Sequence, residues 1–332
     1  MDTSSTDQAL GRRSRGFLVA LFTAVFAGLV LAPHPDAARA ADEAFPLTVV
    51  DDEGTEVSIE ALPQRIVSLS PGTTEIVFAL GAGDRLVGRT EADDHPPEAT
   101  DVTPVASYNA VDLERLLAVE PDLVLAGGNS LTQPDDIATM RGLGLPVIVV
   151  YAPDVPGVLA DIELIAEAIG MGDAAAELVT ELQAQLDTIA EAVSGVAGSP
   201  RVFYEIGADT EIYAPAPDSF VADMVALAGG DPITTADPAR WSISIEELVV
   251  ADPEVIVLGD ANYGVCPADV AARAGWKGMT AVVEGAVAPV DDVTVTRPGP
   301  RLPQGLASLA RAIHPGLELA GFPADPPMCE AG

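Results

Sequence analysis

Lysine is almost missing from this chain: Lys277 is the only one in 332 residues, and 16 Lys+Arg face 51 Asp+Glu, a formal net charge of −35. A surface that acidic repels phosphate backbones, which excludes general binding to nucleic acid or anionic lipid. Cysteine is as scarce. Cys266 and Cys329 are the only two, and neither has a histidine nearby in sequence, which leaves nucleophilic and zinc roles unsupported. Histidine occurs three times, and no His/Cys/Asp cluster has metal-ligand spacing, so no naked metal site is expected. There is no Gly-x-Ser-x-Gly elbow, no His-Glu-x-x-His and no P-loop. Gly81-Ala82-Gly83-Asp84-Arg85 begins like a nucleotide loop, but it follows a helix where a dinucleotide loop must follow a strand. What remains is a globular composition, 48% hydrophobic and 20% charged, long enough for about two domains.

Residues 1–40 read as a signal peptide. Arg12, Arg13 and Arg15 form a basic start, Phe17 to Ala32 carry no charge, and Ala38-Arg39-Ala40 is a small-x-small cleavage site. Sixteen apolar residues fall short of the roughly 20 that span a bilayer, which favours a leader cut after Ala40 over a permanent anchor. No cysteine follows the run to take a lipid. The mature chain is expected outside the cytoplasmic membrane, at the cell surface or in a periplasm. There an even pair of thiols predicts a Cys266–Cys329 disulfide, the alternative being two free buried cysteines.

An internal repeat sets the architecture. Asp112-Leu113-Glu114-Arg115-Leu116 leads to Pro121-Asp122-Leu123-Val124-Leu125. In the same way Ser244-Ile245-Glu246-Glu247-Leu248 leads to Pro253-Glu254-Val255-Ile256-Val257-Leu258. In each copy a glutamate opens a short helix, a proline seven residues later stops it, and an apolar strand follows. A unit repeated at long range predicts two similar lobes. Leu47–Asp51 and Glu56–Ile59 flank Asp52-Glu53-Gly54 as a hairpin, and strands are predicted at Ile66–Leu69, Leu86–Gly88, Leu123–Ala126, Val147–Tyr151 and Arg201–Glu205. Ala174 to Val193 read as one long amphipathic helix with Leu178, Leu182, Leu186 and Ile189 on one face. The fold class expected is α/β, two Rossmann-like lobes joined by a long rigid helix. The boundaries are 41–155 for the first lobe, 156–198 for the interlobe helical segment and 199–332 for the second lobe.

Arg65-Ile66-Val67-Ser68-Leu69-Ser70-Pro71-Gly72-Thr73-Thr74-Glu75 resembles the opening strand and helix of substrate-binding proteins of ABC importers. The branch is the one with a helical backbone, serving ferric siderophores, haem and cobalamin. Asp94-His95-Pro96-Pro97-Glu98-Ala99, Val105-Ala106-Ser107-Tyr108, both glutamate repeats and Arg297-Pro298-Gly299-Pro300-Arg301 continue the similarity across residues 46–315. The Asp-x-Pro-Pro segment looks most like the cobalamin-binding members. The resemblance implies a ligand cleft between the lobes, no bond chemistry and no permanently bound cofactor. The transported ligand would be cobalamin or another metal chelate, and the partner a permease dimer with its ATPase subunits. A ferric siderophore or haem is the alternative ligand, and an exported α/β enzyme the remote one.

In the family two glutamates dock onto arginines of the membrane subunits, and Glu114 and Glu246 match them. The simpler role for each is to complement its helix dipole. Tyr108 matches the place of a tryptophan that packs on the corrin ring, and Trp241 matches a second stacking aromatic, with core packing as its alternative. Arg297 matches an arginine that reaches polar ligand groups. Its alternative is a structural pair with Asp291 or Asp292. Pro71 and Gly72 precede a helix start whose N–H groups are expected to face the cleft. Asn129 and Tyr263 are loop candidates just past strands. His95 is expected to flank the ligand, to be an axial ligand to haem iron or cobalt, or to be merely solvated.

Overall fold

The computed structural model describes residues 44–107 and 110–329. The leader on residues 1–40 and Tyr108 lie outside them. Strands β1 (Leu47–Val50) and β2 (Glu56–Ile59) pair as the expected hairpin, with Gly54 in its turn at φ +76°, a conformation that suits glycine. The first lobe then runs β3 (Ile66–Ser68), α1 (Pro71–Ala79), β4 (Leu86–Thr90), β5 (Pro104–Ser107), β6 (Ala110–Val111), α2 (Leu113–Ala118), β7 (Leu123–Gly127), α3 (Pro134–Gly142) and β8 (Val147–Val150). Its sheet has the order β6-β5-β4-β3-β7-β8, parallel throughout except for β6. The runs Leu-Val-Leu-Ala-Gly of β7 and Val-Ile-Val-Val of β8 are buried from end to end, as a sheet covered on both faces requires.

Two helices make the connection, α4 (Val155–Ala168) and α5 (Gly172–Ser194). The interlobe segment is therefore a helical pair joined by a turn at Gly170, and the 23-residue α5 is its long member. Leu182, Leu186 and Ile189 of α5 are buried as the periodicity predicts, while Leu178 is only half-buried. The second lobe comprises β9 (Arg201–Glu205), β10 (Ile212–Tyr213), α6 (Phe220–Leu227), β11 (Asp231–Pro232), β12 (Ser242–Ile243), α7 (Ile245–Ala251), β13 (Val255–Leu258), α8 (Pro267–Ala272), α9 (Thr280–Glu284), β14 (Val287–Pro289), α10 (Asp292–Thr296) and α11 (Leu302–Ile313). Its parallel sheet has the order β11-β9-β13-β14, and β10 with β12 forms a separate two-stranded ribbon.

One apolar core runs from Ile66, Leu123 and Ile148 of the first sheet through Ile162 and Ile165 of α4. It continues through Leu182 and Leu186 of α5 to Leu306 and Leu309 of α11 and Val257 of the second sheet. Each lobe adds a local core on its other face, around Leu116 in the first lobe and Leu248 in the second. Continuous burial along α4 and α5 makes the helical pair stiff, and a short, mostly exposed stretch, residues 194–199, leads on into β9. Asp223 of α6 adds a polar tie, accepting the Val155 N–H at 3.0 Å. Cys266 and Cys329 are bonded, Cα atoms 5.9 Å apart, which fastens the tail to the turn before α8.

A second polar knot lies at the hairpin. Buried Asp51 takes Arg141 at 2.6 Å, and Asp52 accepts the Tyr151 N–H at 2.5 Å. Asp161 of α4 is buried against Asp52. Burial first, then the charge of Asp52 and the hydrogen bond between the two carboxyls, push Asp161 up to about 8.

Candidate functional site

In each sheet the chain starts near the middle and winds out to both sides. The strand order therefore reverses between β3 and β7 in the first lobe and between β9 and β13 in the second. Such a reversal leaves a crevice at the carboxyl ends of the strands, the usual ligand seat of open α/β sheets. The two carboxyl edges face each other. Arg297, past β14, reaches Asp94, past β4, at 2.6 Å and donates to the Ala92 carbonyl at 3.3 Å. Arg301, at the start of α11, grips Glu75 of α1 with two bonds of 2.9 and 2.6 Å, and Arg297 lies 3.5 Å from the same carboxylate.

These contacts correct two expectations. The partners of Arg297 lie across the cleft and not at Asp291 or Asp292. Asp292 instead takes the buried Tyr204 hydroxyl at 2.6 Å, and Asp291 caps α10 and receives Asn262 at 2.9 Å. Pro71 and Gly72 do not precede a helix but form the first turn of α1, capped by Ser70. Gly72 is also buried: the Pro298 carbonyl oxygen lies 2.3 Å from where a Cβ would stand, so only glycine fits and the second lobe covers this helix start. The bidentate grip of Arg301 on Glu75 is a structural contact.

The electrostatics of the first crevice are set by Asp93, buried and held by the Thr74 hydroxyl at 2.6 Å and by both the N–H and the hydroxyl of Thr90. Burial raises its pKa, and these hydrogen bonds only partly offset that. Next to it, Asp94 is pushed up by partial burial but pulled further down by its bond to Arg297, and stays ionised. In the second crevice Glu205, ending β9, and Asp260, past β13, stand as a buried pair with Arg273 bound to Glu205 at 2.6 Å. Neither Glu205 Oε1 nor Asp260 Oδ1 meets a donor among the described residues. Burial and the neighbouring Glu205 push Asp260 up to about 7. Arg273 also stacks over Trp276 at 4.7 Å. Glu205, Asp260 and Trp276 are buried, so this group plugs the crevice from within and is not offered to a substrate.

The remaining sequence candidates stand at the same edges, exposed. His95 sits in the turn after β4. Asn129, past β7, has φ +53° and donates to the Tyr151 hydroxyl at 3.4 Å. Trp241, 38% exposed, adjoins the β10–β12 ribbon, which rises from the carboxyl end of β9. Tyr263 ends the turn 259–263 past β13, which Asn262 anchors to Asp291 and the Asp292 N–H. Of the described candidates, Gly72 and Arg297 lie in the interlobe contact itself. Sequence reasoning missed Glu75, the Glu205–Asp260–Arg273 group and Tyr151, whose ring lies past β8, 40% exposed. The signal for Tyr151 was available, since it ends an apolar strand of the first lobe.

The sequence profile described as periplasmic binding protein matches residues 66–294. The chain belongs to the periplasmic binding protein family. The family is one of binding proteins, not of enzymes, in keeping with an acid pair that is sealed inside. This binding protein is 35% identical over 283 residues to an uncharacterized ABC transporter substrate-binding lipoprotein of Bacillus subtilis, covering 84% of this chain and 88% of the relative. It is 30% identical over 298 residues to a cobalamin-binding protein of Halobacterium salinarum, covering 86% and 79%. A solved periplasmic heme binding protein from Pseudomonas aeruginosa superposes with a TM-score of 0.66 at 25% identity, covering 79% of this binding protein and 96% of that chain.

Glu114 and Glu246 are exposed near the starts of α2 and α7. Among the described residues, neither carboxylate is in an ion pair. Both helices end under an arginine that the sequence reading passed over. Arg65 donates to the carbonyls of Val119 and Glu120 at 2.6–3.0 Å, and Arg201 to those of Ala251 and Asp252 at 2.8–3.1 Å. Its signal was an arginine opening an apolar strand in each half.

Proposed function

We propose that this protein, exported and cut after Ala40, captures a corrinoid between its lobes and delivers it to an ABC importer. The observation that carries the ligand class is the fate of the arginines at the facing edges. Arg297 is held by Asp94, Arg301 by Glu75 and Arg273 by Glu205, so none is left unpaired for the carboxylates of an anionic chelate. What the edges offer instead is exposed ring surface and neutral polar groups, at Trp241, Tyr263, Tyr151 and Asn129. A large, flat ligand rich in neutral amides suits that lining. The cobalamin-binding relative from Halobacterium salinarum supports the same choice. A haem reading has the Pseudomonas aeruginosa neighbour and the exposed His95 in its favour, but haem propionates would have to compete with carboxylates for Arg297. Tyr108 is assigned to the corrin face by resemblance. Delivery runs through Glu114 and Glu246, onto arginines of the permease dimer that works with its ATPases.

Cyanocobalamin titrated into the mature protein is expected to quench tryptophan fluorescence and raise Tm by mass action. Trp276 is buried against Phe203, ring centroids 6.1 Å apart, so the quench belongs to Trp241. Trp241→Ala should weaken binding about tenfold to a hundredfold, as loss of a stacking anchor does, and Tyr108→Ala should weaken it too. A Tm shift with haemin or a ferric-siderophore panel but none with cyanocobalamin would keep the family and discard the corrinoid.

A further inference from the structure

The two glutamate helices match residue by residue. From Leu113 to Val119 and from Ile245 to Ala251 the burial runs in the same order: half-buried, two exposed, one buried, two exposed, half-buried. Asp112 and Ser244 cap them, accepting the N–H of Arg115 at 3.1 Å and of Glu247 at 3.2 Å. Both helices are followed by a left-handed acidic residue, Glu120 at φ 43° and Asp252 at φ 45°, and then by proline. The next acidic residue ties back to the strand opening: Asp122 accepts the Arg65 N–H at 2.8 Å, and Glu254 the Arg201 N–H at 3.0 Å.

Folding explains the buried Leu116 and Leu248, which enter the local cores. It does not explain their outer neighbours. Leu117 is 42% exposed, Val249 45% and Val250 86%, where the outer face of α5 carries Glu177, Glu181, Gln183 and Asp187. Leu117 and Val249 each lie three residues after the docking glutamate, hence on its face of the helix. The charges on the same helices are paired: Arg115 lies 3.2 Å from Asp112, and Glu247 pairs with Arg240 at 3.0 Å. A carboxylate in no ion pair among the described residues, with an apolar neighbour, thus occurs twice in the same frame. Beside Glu246 there is also a hollow of 480 Å³, walled by Glu211, Ile212, Arg240 and Ile245.

We propose that Leu117 in one lobe and Val249 with Val250 in the other form the apolar halves of two equivalent docking faces. The occupant is two copies of one membrane subunit, each presenting a guanidinium beside an apolar side chain. This rests on the delivery reading above and adds a salt-insensitive contact to its ion pairs, since burial of apolar area is not screened and exposed ion pairs are.

The test uses the mature protein, fluorophore-labelled, on right-side-out membrane vesicles of the producing organism, without ligand and with cyanocobalamin. Saturable wild-type binding is expected, weakened about tenfold by L117Q/V249Q at both low and high salt. E114A/E246A should leave a weaker, salt-insensitive residue of binding that L117Q/V249Q then removes. Benzoylphenylalanine at 117 and at 250 should crosslink to the same segment of one membrane polypeptide. L117A/V249A is the milder pair if glutamine lowers Tm. Wild-type affinity in both apolar pairs, with binding lost in E114A/E246A, would leave the delivery reading standing and overturn this proposal. Crosslinks to two different polypeptides would overturn it as well. No saturable binding, or no effect of either pair, would take down the delivery reading and the proposal together.

Discussion

Replacing Glu75 with alanine is expected to destabilise the protein by about 3–5 kcal/mol, the usual cost of removing one partner of a buried ion pair. The Glu75 side chain is 3% exposed and takes both forks of Arg301, with Arg297 at 3.5 Å. That hydrogen bonding is the first cause holding the Arg301 pKa above its ordinary value. Without the carboxylate, Arg301 keeps its charge in a half-buried place with only the weaker pull of Asp291 and of Asp94, whose own bond is to Arg297, to offset it. The effect is asymmetric. Arg301→Met added to Glu75→Ala is expected to restore more than half of the loss, because the stranded charge goes with it. Urea denaturation of the four members of the cycle measures this. A loss under 1 kcal/mol in the single variant would mean that the lobes are held by the apolar core alone.

Stability is expected to fall as pH rises from 5 to 9, and Asp161→Asn should remove most of the fall. The Asp161 carboxyl titrates near 3.8 when exposed and near 8 in the fold. Between those values the folded chain holds a proton that the unfolded chain releases. The contribution is therefore full below the lower value, shrinks as pH climbs, and is gone above the higher one. Asparagine keeps a neutral donor toward Asp52 and has no proton to lose, so at pH 9 it should stabilise by roughly 2–4 kcal/mol. Asp260, raised by its own burial and by Glu205, adds a second decline in the same direction that ends near pH 7. Calorimetric Tm values at pH 5, 7 and 9 for both proteins decide the matter; parallel curves would rule out Asp161 as the source.

Strands buried on both faces, the hairpin and α5 were legible because their periodicities follow from local geometry and burial. The repeat was legible because it recurs as residue types at fixed spacing. Two-residue strands such as β6, β10 and β12 were not, since only pairing makes them strands. The site was less legible than the fold for a related reason. Asp291 and Asp292 are close to Arg297 along the chain, but its carboxylates, Asp94 and Glu75, lie some 200 residues away and meet it only when two lobes close on each other. Glu205 and Asp260 are likewise joined only by the adjacency of β9 and β13. Contacts that depend on tertiary registry leave no mark in a local window, whereas Trp241, Asn129 and Tyr263 could be picked out from placement at strand ends.

The paired arginine clamps have one more consequence. Arg65 and Arg201 weld each glutamate helix to the opening strand of its own lobe, so neither helix can swivel independently. Any rocking of one lobe against the other is then passed undiminished into the gap between Glu114 and Glu246. On the proposed delivery reading, the two carboxylates would act as the jaws of a caliper whose opening reports what lies between the lobes. A receptor with two fixed cationic posts would then gauge the cargo without touching it.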